Sequence, residues 1–446
     1  MKILANWKAK MKGQSPNPND QDLFKQRLAD LLNPNHDLYK LALKTDWQHF
    51  EKELSHLYHT TGRPAKPIRL MTGLLLLKQL YDVSDEEVCR HWVQNPYWQF
   101  FCGEVFFQWK MPCDPTDLVY FRKRIKEKGI ELIFEYSIQL NGKDAYEKEV
   151  VTDTTVMEKN ITFPTDTKLQ IKIINHCVKI AKEEGIKLRQ KYPRIVKKCL
   201  LAQRFKKHPK NYKKALKARK HIQTIAGRLV RELQRKMDLQ QKENYKEKIE
   251  LFEKVLNQKK EDKNKVYSLH EKEVYCIAKG KEQKPYEFGS KASIVVTKNT
   301  GIIVGAMDVK NSYDGHVLEE AIMQTERLLK RKPVAIIGDR GYKGPKDILG
   351  VKVFIPKPPK KTDSDYEKRK TRERFRRRAA IEPVIGHLKE DFGLKKCFLK
   401  GEMGNKINIL MACAVYNIKK YLNNARSRVK KMLNFLYLKN FPVLQA

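Results

Sequence analysis

Apolar residues recur at helical spacing through Leu70, Gly73, Leu74, Leu77, Leu80 and Tyr81, which predicts a buried helix over 70–81. Ser84-Asp85-Glu86-Glu87 then reads as a capping box, since Ser84 and the Glu three residues on can satisfy orphan N–H groups. It opens a second helix through Val88 and Trp92 towards Trp98. Asp114-Pro115 starts a third, through Leu118, Phe121 and Ile125 up to Gly129. At 149–157 the pattern changes to Glu-Val-Val-Thr-Asp-Thr-Thr-Val-Met, short and β-branched, which predicts a buried strand. Residues 167–265 return to helix, with narrow apolar stripes at Ile222, Ile225, Leu229 and Leu233 and at Ile249, Phe252 and Leu256. Strands at 292–297 and 302–306 flank Asn299-Thr300-Gly301, a hairpin signal. A helical pattern (Val317, Leu318, Ile322, Leu328, Leu329) leads to a strand at 334–337. Residues 378–391 read as helix. Ile407, Leu410, Met411, Ala414, Ile418 and Leu422 form a strong apolar face on another. Short strands with a βαβ step mean a mixed α/β sheet domain preceded by helices.

Charge changes this picture. The 446 residues carry 92 Lys and Arg against 52 Asp and Glu, a formal net charge of +40. Hydrophobic residues at 41% exclude a wholly disordered chain. The surplus points to a polyanionic partner, nucleic acid first, although ribosomal and membrane-surface proteins share the bias. Between 191 and 220 stand 13 Lys or Arg and no acid. A charge run is usually a solvated face, but so many uncompensated cations repel one another unless something anionic lies on them, which favours a DNA-backbone-contacting arm. In the N-terminal helices Arg63, Lys66, Arg69, Arg122, Lys123 and Arg124 fit either a helix-turn-helix-like reader or a plain helical subdomain with a wet basic face.

No segment approaches the roughly 20 apolar residues of a membrane span, and Met1-Lys2-Ile3-Leu4-Ala5 is too short for a signal sequence. Eight scattered cysteines without a CxxC pair argue for reduced thiols and against a zinc site. The expectation is a soluble, cytoplasmic protein.

Two acids stand out by location. Asp153 interrupts an apolar strand, where a carboxylate is costly unless paired or metal-bound. Asp339 follows the 334–337 strand in a Gly-rich turn, Gly338-Asp339-Arg340-Gly341-Tyr342-Lys343-Gly344, and strand carboxyl ends are where α/β sites form. Each also fits a strand-end turn former. No GxxxxGK[ST] occurs there, which disfavours an ATPase. Glu382 lies in the run Phe375-Arg376-Arg377-Arg378 to Lys389. Arg378, Glu382 and Lys389 are spaced to share a helix face, either as a surface ion-pair ladder or as a site. Three convergent acids can hold two Mg²⁺, as nucleases do. Asp166, Asp308 and Asp314 read as mostly structural, and His387 as partnered or exposed.

With these residues in place the sequence resembles bacterial DDE transposases of the insertion-sequence 5 group, within the set that resembles insertion sequence 4. The resemblance spans about Tyr58 to Leu422. It rests on His59-Thr60-Thr61-Gly62-Arg63-Pro64 through Trp98-Gln99-Phe100-Phe101-Cys102-Gly103, on Asp153-Thr154-Thr155-Val156 with Asn160 to Asp166, on Asp339-Arg340-Gly341-Tyr342, and on Arg378-x3-Glu382-x6-Lys389. The family signature usually begins with Tyr, where Phe375 stands, so ring stacking remains without a phenol hydrogen bond. The resemblance implies an α/β fold: an RNase H-like mixed-sheet catalytic core (146–166 and 266–424) with an all-α N-terminal domain (58–145) and a basic helical insertion (167–265), between a polar segment (1–57) and a tail (425–446). It implies Asp153, Asp339 and Glu382 as catalytic, metal-holding residues for two Mg²⁺ or Mn²⁺ ions. Arg378, Lys389, Phe375, Arg376, Arg377, Arg340 and Tyr342 are implied as DNA contacts. The implied partners are the double-stranded terminal inverted repeats, target DNA and a second copy in a synaptic homodimer, near the bacterial nucleoid. A transposase-derived protein that binds DNA without cutting is the alternative, and a structural RNA-binding protein rests on charge alone.

Overall fold

The computed structural model describes residues 13–22, 24–58, 65–206, 208–259, 261–278, 282, 285–342, 344–356 and 363–440, the side chains of 314 and 428–440 excepted. Met1–Ala5, His59–Pro64 and Lys343 lie outside the described residues. The chain forms two compact units, one of 1–157 with 291–446 and one of 158–290.

The larger unit begins with helices α1 (Leu28–Leu31), α2 (Asp37–Lys44), α3 (Trp47–Ser55), α4 (Ile68–Leu80), α5 (Asp85–Gln94), α6 (Pro96–Phe101) and α7 (Pro115–Leu140). Both halves of the expected capping box are present at α5: Glu87 N–H donates to Ser84 Oγ and Ser84 N–H to the Glu87 carboxylate. Asn95 stops α5 and caps α6 through the Tyr97 and Trp98 amides, so Trp98 belongs to a separate helix. The third expected helix runs beyond Gly129 to Leu140, broken at Lys126, whose φ is 51°.

Next comes β1 (Glu149–Lys159), where the strand was expected. Val150, Val151 and Thr152 are all buried, as a central strand covered on both faces requires. The smaller unit holds α8 (Asp166–Glu183), α9 (Pro193–Ala202), α10 (Pro209–Lys236), α11 (Leu239–Asn257) and β2 (Tyr275–Ala278), the last antiparallel to the start of β3 (Tyr286–Thr297). Its helices enclose a core of their own, including Ile222, Ile225, Leu229, Leu233, Ile249 and Phe252 from the expected stripes. The cations are left on the outer faces.

The larger unit resumes with β4 (Ile303–Lys310), α12 (Asp314–Leu329), β5 (Ala335–Ile337), β6 (Asp347–Ile348), β7 (Val351–Phe354), α13 (Asp365–Arg378), α14 (Ile381–Glu390), β8 (Lys396–Cys397) and α15 (Gly401–Asn440). Its mixed sheet runs β4–β3–β1–β5–β7–β6, with β8 beside β1. β3 and β4 are antiparallel, whereas β1, β5 and β7 pair in parallel. Gly301, at φ 64°, turns the β3–β4 hairpin, and Glu147 accepts the Asn299 and Thr300 amides to fix that turn.

Helix α15 packs its apolar face on α7, β4 and α4. Asn417, fully buried on it, accepts from Ile303 N–H at 2.9 Å and donates to Ile303 C=O at 2.8 Å. The amide thus stands in for a strand neighbour of β4. One core is shared by the N-terminal helices, the sheet and α15.

Arg122 on α7 makes two hydrogen bonds to Asp85 on α5, at 2.9 and 2.5 Å, and Lys78 reaches the same carboxylate at 3.0 Å. Burial pushes the Asp85 carboxyl up, but Arg122 and Lys78 outweigh it and hold the group below its ordinary value. Removing Asp85 strands a guanidinium that is 6% exposed. Asp85→Ala is expected to cost about 3–5 kcal/mol in urea denaturation. Because the folded-state value is depressed, the pair's contribution is complete above about pH 5 and fades as acid takes the pH through that value. A variant as acid-sensitive as the wild type contradicts this.

Candidate active site

The parallel register of β1 and β5 aligns Val150 with Ile336 and Val151 with Ile337. Asp153, within β1, and Asp339, just past the end of β5, each lie two residues beyond the last of these pairs. Asp153 is half-buried and its Oδ1 accepts the Thr154 amide at 2.8 Å. Asp339 is half-buried and its Oδ1 accepts the Gly341 amide at 2.8 Å, so the turn after β5 is built on this side chain. Gly338 N–H donates to Phe354 C=O at 3.0 Å, tying the turn to the end of β7. A Cβ on Gly338 would lie 2.9 Å from the Tyr342 ring, so the close approach of ring and backbone requires glycine.

Glu382 arrives from the other side of the chain. The expected helix over 378–391 is α14, which starts at Ile381; Ala379–Ala380 separate it from α13, a helix that was not expected over 365–378. Pro383 explains the break, because it has no N–H to give to the Ala379 carbonyl. The chain stays right-handed through the junction, with tighter bonds from Ala380 N–H to Arg377 C=O and from Glu382 N–H to Ala379 C=O. Ile381, Val384 and Leu388 bury α14 and leave Glu382 outward. Arg378, at the last position of α13, lies between two of the acids. Its Nη1 is 4.0 Å from Asp153 Oδ2, and its Nη2 is 3.5 Å from Glu382 Oε1.

The donor chemistry, three carboxylates, suits a hard divalent cation such as Mg²⁺ or Mn²⁺. Among the described residues no group of three His, Cys, Asp or Glu is close enough to hold an ion. The Glu382 side chain is 65% exposed. Arg378 therefore links Asp153 with Glu382, and strand register links Asp153 with Asp339.

The other candidates divide by exposure. Arg340, Arg376 and Arg377 are exposed, Lys389 is half-buried, and Phe375 is half-buried against the main core. The expectation that Tyr342 touches DNA is not met: its ring is 1% exposed and supports the turn from beneath. Asp166 pairs with Arg219 at 2.6 Å within the smaller unit, and exposed His387 shares a bond with Asp391 at 2.7 Å. In the N-terminal helices Arg69 donates to the Phe100 and Phe101 carbonyls and stacks over Trp47, while Arg122 is buried on Asp85. Neither is available to a DNA-reading face. Exposed Arg124 lies over Tyr58, its guanidinium carbon 4.5 Å from the ring centroid. Lys66 and Lys123 are exposed.

The sequence placed basic residues 368–378 beside the site, but did not show the pairing of Arg374 and Lys298 with Glu149. Arg374 donates to Glu149 at 3.1 Å, and Lys298 reaches the same carboxylate at 2.6 Å. Burial pushes the Glu149 carboxyl up, but Lys298 and Arg374 hold it below its ordinary value. The only local signal was the Arg-rich run itself, in which nothing distinguishes one arginine from its neighbours.

Truncating Tyr342 to Ala is expected to cost about 3–5 kcal/mol in urea denaturation, as for other buried aromatic rings. Gly338→Ala should lower stability by about 1–3 kcal/mol through overpacking on that ring. Wild-type stability in Tyr342→Ala would place the ring outside the core.

A family model described as "Transposase domain (DUF772)" matches residues 26–124, and one described as "Transposase DDE domain" matches 253–418. Asp339 and Glu382 lie inside the second range, whereas Asp153 lies outside both. The chain is similar to "Uncharacterized protein ORF8 in nfe locus" of Rhizobium meliloti, 39% identical over 207 residues, which is 45% of this chain and 100% of that protein. No solved structure matches. Among the described residues no helix is long and apolar enough to cross a membrane. With both transposase models matched along a chain whose paired β1 and β5 hold two acids in step, the protein belongs to the DDE transposase family.

Proposed function

We propose that this transposase, a member of the insertion-sequence 5 group, cuts the inverted-repeat ends of its own insertion sequence and transfers the freed 3′-OH into target DNA. The observation that carries the reading is the pairing of β1 with β5, which puts Asp153 and Asp339 in step, together with the Arg378 contacts to Asp153 and Glu382. The sheet order β4–β3–β1–β5–β7 supports an RNase H-like core.

Asp153, Asp339 and Glu382 would hold two divalent ions, which when bound supply Lewis-acid polarisation of the scissile phosphate and offset charge on the attacking and leaving oxygens. The protein's own cations do the rest. Arg378 and Lys389 neutralise the phosphate that carries extra negative charge as the reaction proceeds. Exposed Arg340, Arg376 and Arg377 hold the neighbouring backbone. In the first step a water oxygen bonds to phosphorus and the bond to the 3′ oxygen breaks, giving a 3′-OH and a 5′-phosphate. In the second the 3′-OH oxygen bonds to a target phosphorus and the target's own bond to its 3′ oxygen breaks. One phosphodiester replaces another, so no energy source is needed.

The helical region 58–145 and the insertion 167–265 would bind the repeats and their backbone, with a second copy of the chain holding the other end. A binding-only descendant is the second reading. The observation in its favour is that no three-carboxylate group among the described residues is close enough to hold an ion.

Purified protein, the gene's own flanking DNA and Mg²⁺ or Mn²⁺ separate the two. The expected outcome is a break at a defined end that disappears with EDTA. Asp153→Asn and Asp339→Asn should each lower its rate at least about 100-fold while binding the DNA like the wild type. Binding without cutting by all three proteins would establish the second reading.

A further inference from the structure

Helix α13 carries eight Lys or Arg and three acids in 14 residues, and none of its residues is buried. A helix without a buried face has no hydrophobic reason to stay where it is. Its like charges also repel one another. Yet its last residue is Arg378, which must stand at a fixed distance from Asp153 and Glu382 if it is to meet a phosphate there.

Among the described residues, Phe375 and Arg374 tie α13 to the sheet and core. Phe375 packs half-buried against the main core. Arg374 donates to Glu149 at 3.1 Å, and its guanidinium carbon lies 3.8 Å from the centroid of the Phe354 ring, at the end of β7. The Arg374 side chain is 17% exposed, so water competes weakly for this pair. Glu149 is itself immobilised by Lys298 at 2.6 Å from the β3–β4 hairpin. One helical turn later, Arg378 reaches Asp153, four residues further along the same strand. Four residues span about 6 Å along a helix and about 13 Å along a strand. Two contacts so differently spaced fix both the height and the rotation of the helix over β1, which neither contact could do alone.

We propose that Arg374, clamped between Glu149 and the Phe354 ring, is a positioning residue: it latches α13 across β1 and thereby sets Arg378 against Asp153. This rests on the transposase reading above. Arg374 touches neither the three acids nor the place where DNA would react. Its effect passes through Arg378. Glu149, Lys298 and Phe354 complete the latch, drawing together the first residue of β1, the β3–β4 turn and the end of β7.

The test uses the full chain in four forms: wild type, Arg374→Gln, Arg374→Lys and the charge exchange Arg374→Glu with Glu149→Arg. Amide hydrogen exchange without DNA reports the latch directly. Arg374→Gln should speed exchange over 370–380 at least about tenfold while amides of β1 and β5 keep wild-type protection. End cutting should then lose at least about tenfold in kcat with KM for the DNA end nearly unchanged, because phosphate binding elsewhere is intact. Arg374→Lys keeps the charge but not the flat stacking face and should fall between. The charge exchange should recover part of the protection and part of kcat, which a general loss of stability would not allow.

Unchanged exchange in Arg374→Gln overturns the latch. Faster exchange with unchanged kcat overturns the positioning role. If the wild type itself cuts no DNA end, the transposase reading falls and the positioning role falls with it, while the exchange data still decide whether Arg374 holds the helix.

Discussion

The parallel pairing of β1 with β5 is the constraint on which the rest of the structure depends. Parallel strands cannot be joined by a tight turn, so the chain must travel far between them. In this protein it makes the smaller unit, the β3–β4 hairpin and α12 on the way. A slip of one residue would turn Asp153 towards the opposite face of the sheet and separate it from Asp339. The β-branched, buried residues Val150, Val151, Ile336 and Ile337 specify the register against that slip. The polar chemistry at the strand ends is thus positioned by apolar side chains that take no part in it.

The charge surplus is handled differently in different places. In the smaller unit, cationic helices surround an apolar core of their own, so repulsion on the outer faces is opposed by burial within. In the N-terminal helices, Arg122 and Arg69 are turned inward onto a carboxylate and onto carbonyls. Helix α13 has neither device along most of its length. Its place therefore depends on individual side-chain contacts such as Arg374 with Glu149. Surface pairs are weak and screened by salt, so half-buried Arg374 matters more than the exposed arginines beside it.

Much of the fold was legible because its signals are local. The Ser84–Glu87 capping box, the Asn299-Thr300-Gly301 hairpin, the β-branched strand around Asp153 and the apolar stripe of α15 all depend on neighbours within a few residues. The helix break at Ala379–Ala380 has a local cause in Pro383, yet the sequence pattern reads as continuous helix over 378–391. What stayed hidden were choices of distant partner. Nothing near Arg122 in sequence says that Asp85 will bury it, and nothing near Tyr342 says that the ring will turn inward under Gly338. The same limit applies at the site. Asp153 could be singled out as a carboxylate inside an apolar strand, Asp339 by a strand end and Glu382 by spacing, and the family resemblance joined them. Arg374 and Glu149 could not, because their pairing spans 225 residues.

A consequence follows for how the three acids relate. Asp153 stands on β1 and Asp339 in the turn just past β5, each accepting a backbone amide at 2.8 Å. Glu382 stands on a helix anchored by Ile381, Val384 and Leu388, with its own side chain in solvent. The sheet fixes two carboxylates, whereas the third has rotamer freedom restrained on one side by Arg378. Bringing it to the other two costs side-chain entropy and adds like charge to like, so it needs a compensating cation or a partner that draws Arg378 away. On the proposed reading a phosphate backbone would do the second, because it would compete with Glu382 and Asp153 for the same guanidinium. On the same reading, the substrate's own charge would help to release the carboxylates, and Arg378 would be the group through which that exchange is made.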